Sequence, residues 1–225
     1  MKRIRPVAEA EVLAEFLKGE FHQKEYHADR HSYERLVMQP NLLDENENRL
    51  RRELLYRRHR YTWNELPQDV RWFQAELDLT DVKRIRVFPR GHWPKMTTGS
   101  NFGISDIAQH IRERKFDPDV ANDVTAIHAI TYAHRDQPDT SAVLLIGVDE
   151  DRPLTILEGN HRMIAAALIS VERLTAFTIY VGLSSSMTEC FWYQNTLENK
   201  LRYAWRRFVD VQPGFLRGLR QRWAE

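Results

Sequence analysis

Cysteine is nearly absent: Cys190 stands alone among 225 residues. That excludes an intramolecular disulfide and fits a reducing cytoplasm, the compartment expected for this chain. Long apolar runs are missing as well. None approaches the ~18 residues of a membrane-spanning helix, so no membrane partner is expected. The opening Met1-Lys2-Arg3-Ile4-Arg5-Pro6 is basic, but Glu9 and Glu11 stand where a secretory leader would carry its apolar core. Neither sign of charge is in excess. Thirty-three Lys and Arg oppose 32 Asp and Glu for a net +1, which argues against a protein that coats nucleic acid with its whole surface. There is no internal repeat and no low-complexity segment. What remains, 42% hydrophobic and 29% charged, predicts a soluble globular chain with a proper core, in one domain or one and a half.

The most informative stretch is residues 154–168. It begins as a β-rich apolar run and ends as an Ala/Leu-rich helix former, with Glu158-Gly159-Asn160-His161-Arg162 between them. A strand that turns through glycine into a helix aims the first free N–H groups of that helix at whatever lies above the turn. An imidazole and a guanidinium at the same place make an anion site suited to phosphate. Glu158 could hold Mg2+ or accept a proton beside that phosphate. An ordinary strand-to-helix turn with solvated polar residues is the alternative.

Glu158-Gly159-Asn160-His161-Arg162, followed by Ile164-Ala165-Ala166, resembles the Gly-x-His-Arg turn and helix of the ParB/sulfiredoxin-like superfamily, over residues 83–182. That superfamily includes partition-protein N-terminal domains, sulfiredoxin, free-serine kinases and DNA-modification proteins. The resemblance implies an α+β domain with a small mixed sheet. It is nearest to the Asp-Gly-His-His-Arg of the free-serine kinases, whose acidic residue, matched by Glu158, assists phosphoryl transfer. Asn160 stands where sulfiredoxin has its reactive cysteine, so sulfinic-acid repair by that route is not expected. Gly103, Asp106 and His110 stand where that family binds ATP with Lys, Ser and Thr. The Gly-Glu-Arg-Arg of partition proteins is not matched, and no DNA-reading helix-turn-helix follows.

Around the motif, residues 1–80 read as helical. Val12, Leu13, Phe16 and Leu17 form one face, and Tyr33, Leu36 and Val37 another. A helix over 41–61 carries Leu42, Leu43, Leu50, Leu54 and Leu55 as its apolar residues, along with a run of arginines, Arg49 to Arg60. A short helix from Pro67 holds Val70, Trp72, Phe73 and Leu77. His27 and His31 lie one helical turn apart, but with Arg30 beside them they read as a solvated or substrate-facing pair. Residues 81–183 read as the α+β domain, with strands over 82–88, 124–132, 142–148, 154–158 and 174–181. The nearly unbroken apolar run 142–148 is expected at the centre. The polar loop 92–103 offers Lys95, Thr98, Ser100 and Asn101 as ligand donors and has no Walker pattern. Residues 184–225 read as a C-terminal helical extension. Its stripe of Phe191, Trp192, Leu197, Leu201, Trp205 and Phe208 should pack on the N-terminal helices. Cys190 falls near its start, where a thiol can be acidified, but without an assigned base partner it reads as structural.

These readings converge on a phosphate-handling enzyme, a nucleotide-dependent phosphotransferase using ATP or ADP on a small polar molecule. Glu158, His161 and Arg162 would be catalytic. Gly159, Asn160, His161, Arg162, Lys95, Thr98, Ser100 and Asn101 would bind phosphate or nucleotide, and Glu158 would take Mg2+. The alternatives are a nucleic-acid-binding or nuclease-like module using the arginine-rich stretches, and a non-catalytic nucleotide sensor.

Overall fold

The computed structural model describes residues 1–88, 91–97 and 102–211. In chain order it runs β1 (Lys2–Val7), α1 (Glu9–Glu20), α2 (Arg30–Met38), α3 (Glu45–Trp63), β2 (Arg71–Glu76), α4 (Leu79–Val82) and β3 (Ile85–Arg86). It continues with α5 (Ile104–Arg112), α6 (Ala121–Ala133), β4 (Ala142–Gly147), β5 (Leu154–Glu158), α7 (Asn160–Ile169), β6 (Thr178–Leu183) and α8 (Leu197–Val211). The six strands make one mixed sheet in the order β1-β2-β6-β4-β5-β3. β6 and β4 are parallel, as are β5 and β3, while the other neighbours are antiparallel. The chain is therefore mixed α/β with helices around the sheet.

Strand β4 explains the layering. Val143 and Leu145 point to one face, where α5, α6 and α7 pack with Ile107, Ile127 and Ile164. Leu144 and Ile146 point to the other, against Leu13, Phe16 and Leu17 of α1 and Leu54 and Leu55 of α3. A strand buried on both faces must be apolar at every position, which is why this run lacks alternation.

The sheet reaches across residue 80, since the N-terminal segment supplies β1 and β2 as well as its helices. Three expectations for local structure are corrected here. The helix after Pro67 is the strand β2: Trp72 and Ala75 turn inward, and the side of β2 away from β1 pairs in register with β6, from Arg71–Leu183 to Ala75–Ile179. The strand over 124–132 is the helix α6, whose buried Val124 and Ile127 lie three apart on one face. The strand over 82–88 shrinks to Ile85–Arg86, because a capping box between Asp78 and Asp81 folds the preceding residues into α4. At the sheet edge, Lys2, Arg3 and Arg5 make β1 a charged strand that discourages further pairing.

The C-terminal stripe is a fourth correction. Phe191 is buried, but Leu197, Leu201, Trp205 and Phe208 are all exposed along α8. Cys190 lies before α8 in a buried position, and burial pushes its thiol up to about 12. That direction opposes an acidified thiol.

Candidate functional site

The site begins where β5 runs through Gly159 into α7. Gly159 has φ +103°, in the left-handed region that only glycine enters without strain. An added Cβ would also lie 2.9 Å from Val143 Cγ2. As N-cap, Gly159 contributes no side-chain bond, so the first N–H groups of α7 take no cap from it.

Below the turn, Arg162 folds back on the sheet. Its guanidinium donates to Glu158 Oε2 at 2.5 Å, to Ala142 O at 2.8 Å and to Ser141 Oγ. Glu158 is 7% exposed and lies against Gly19 of α1, where an added Cβ would sit 2.9 Å from its carboxyl carbon. Arg162 and Glu158 thus hold each other and brace the turn from beneath. Neither presents a free charge at the mouth.

Burial raises the Glu158 carboxyl to about 7, with Glu20 adding to the rise and Arg162 opposing it. A buried carboxyl that binds its proton more tightly when folded stabilises the fold most at acidic pH. That contribution falls away as pH climbs from the ordinary carboxylate range through about 7, and amounts to at most about 3 kcal/mol. Urea unfolding of the wild type and Glu158→Gln across pH 5 to 8 reads it. The wild type should lose stability over this range relative to the variant, and parallel curves would remove Glu158 as the titrating group.

Above the turn, three side chains from separate elements converge. His161, on the first turn of α7, brings Nε2 to 3.3 Å from Asp123 Oδ1. His92, capping the short 3-10 helix Trp93–Met96, brings Nε2 to 3.5 Å from the same oxygen. Asp123 sits in the first turn of α6. The buried Trp93 ring lies 5.0 Å from His161 and helps to hold it. Burial lowers the His161 imidazole below its ordinary value despite the pull of Asp123, which favours a neutral ring. Asn160 Oδ1 is buried without a hydrogen-bond partner among the described residues.

The remaining expected donors fare unevenly. Lys95 is engaged by Asp119, which holds its ammonium charged. Thr98, Ser100 and Asn101 lie outside the described residues. His92 and Asp123 were missing from the expected set. Asp123 was hidden because it lies just outside the stretch read as a strand, and His92 because a polar loop gave no reason to prefer it. Several arginines of the two arginine-rich stretches are committed to partners within the chain, and residues 212–225 lie outside the described residues. Arg51 is buried and bonds Leu36 O, Asn41 O and Glu47. Arg52 pairs with Glu9, Arg57 with Asp29, Arg202 with Glu189 and Glu198, and Arg206 with Glu65. No family model, curated protein or solved structure matches the chain.

Proposed function

We propose that this chain is a phosphate-handling enzyme with a ParB/sulfiredoxin-like fold, a nucleotide-dependent phosphotransferase acting on a small polar molecule. The observation that carries the reading is the start of α7: a helix opening on glycine without a side-chain cap, with His161 standing beside it. Backbone N–H groups and a helix dipole in fixed positions stabilise the charge of a transferring phosphoryl group without reorganising. In this reading Asn160 and His161 face the phosphates of ATP or ADP. Arg162 and Glu158 keep the turn rigid beneath them, so their part is positioning. Mg2+ would arrive with the nucleotide.

Thermal unfolding with ATP, ADP or orthophosphate, with and without Mg2+, tests it. A ligand at ~100 times its dissociation constant should add ~2.7 kcal/mol of stability, and His161→Gln should lose most of that gain. ADP release from ATP in the presence of small hydroxyl compounds then tests the transfer step. Absence of stabilisation by every phosphate compound would end the phosphate reading, and stabilisation without turnover would leave a nucleotide sensor.

A further inference from the structure

We propose that His92, Asp123 and His161 form a binding site for a divalent transition-metal ion. The inference goes beyond the phosphate reading and does not depend on it.

The donor atoms of the three residues all lie within 4.8 Å of one another. Tetrahedral bonds of 2.0–2.1 Å to nitrogen or oxygen place neighbouring donors about 3.3 Å apart. The His161–Asp123 and His92–Asp123 separations, 3.3 and 3.5 Å, already match that edge. The third edge, between the two imidazoles, is within 4.8 Å, and the half-exposed His92, 45% open at its side chain, has room to adjust it.

Two imidazole nitrogens and one carboxylate oxygen are a borderline donor set. They suit zinc and its first-row neighbours better than the harder Mg2+ or Ca2+, which take mostly oxygen. Three protein donors leave one or more positions open, as at catalytic rather than closed structural sites. The opening faces solvent, because His161 and Asp123 are also only partly covered, at 37% and 27% exposure. The positive ends of α6 and α7 work against a cation, but this is a short-range effect of partial charges. A full carboxylate charge and two metal–nitrogen bonds outweigh it. Among the described residues, Arg162 is paired with Glu158 and Lys95 with Asp119.

The alternative account is a carboxylate shared by two imidazoles through hydrogen bonds alone, and metal titration separates the two. Metal-free protein is titrated with Zn2+ by calorimetry and with Co2+ by visible absorption, in buffer free of nucleotide and phosphate. One equivalent should bind, and Co2+ should develop the ligand-field bands of low coordination. His92→Gln, Asp123→Asn and His161→Gln, with circular dichroism unchanged, should each weaken binding by about tenfold or more. The exposed pair His27 and His31 serves as the control, and His27→Gln/His31→Gln should leave affinity unchanged. No binding, equal binding by all three site variants, or loss of binding in the control would each overturn the proposal. Because no phosphate compound is present, such a failure leaves the nucleotide result standing on its own data.

Discussion

Replacing Arg162 with methionine should cost about 3–5 kcal/mol of folding stability, the usual result of removing one partner from a buried ion pair. The guanidinium is 18% exposed at its side chain, and its bonds to Glu158, Ala142 O and Ser141 tie α7 to β5 and to the start of β4. Without it, the Glu158 carboxylate would be left without its charge partner beneath α1. The carboxyl would respond by keeping its proton to higher pH, which recovers part of the loss. Urea unfolding of Arg162→Met, Glu158→Gln and the double variant measures this directly. The double variant should lose clearly less than the two single losses combined, since no uncompensated charge remains. If Arg162→Met instead unfolds within about 1 kcal/mol of the wild type, the guanidinium is free for a ligand, and Arg162 returns to the phosphate site.

Gly159→Ala should cost about 2–4 kcal/mol, from two separable causes. Alanine at φ +103° is strained whatever surrounds it. Its Cβ would also press on Val143 Cγ2 at 2.9 Å, in the middle of the strand that carries both cores. Val143→Ala makes room and removes the second cause but not the first. A double-mutant cycle should therefore show favourable coupling of about 1 kcal/mol, with most of the strain remaining. Zero coupling would mean that the turn yields without touching β4.

Legibility in the sequence followed how local each signal was. The unbroken apolar run at 142–147 had to be a doubly buried strand, and the Gly159 turn into α7 was visible because glycine, a preceding β-rich run and a following alanine run are neighbours in sequence. Residues 124–132 misled because Val124, Thr125, Ile127, Ile130 and Thr131 favour strands individually. Their apolar spacing of three was the helical signal, and packing on α7 decided the matter. β2 was missed because its conformation comes from β1 and β6, which the local residues Trp72 and Phe73 do not reveal. For α8 the helical stripe was real but stays exposed, and the helix meets the N-terminal region through Arg206 on Glu65 and Arg207 over Tyr61 instead.

The site itself divides the same way. His161 was found from its motif, and Asp123 and His92 were not, because 38 residues separate Asp123 from His161. No pattern within a window of one helix can report such a meeting. Arg162 was found for its charge, but its partner Glu158 in the fold was not foreseen. A guanidinium next to a glycine turn reads equally well as facing outward or inward until the buried Glu158 shows which way it points.

The pairing of β2 with β6 also has a consequence in time. Ala75 must wait for Ile179 before its side of the sheet closes, and the ribosome adds the intervening roughly 100 residues over about 5–20 s. Through that interval the first helices leave the exit tunnel without Leu144, Ile146 and Tyr180, which complete the core around α1, α3 and Trp72. A nascent chain of this kind is a natural client for a holding chaperone, and arrest of synthesis short of β6 should leave it dependent on one.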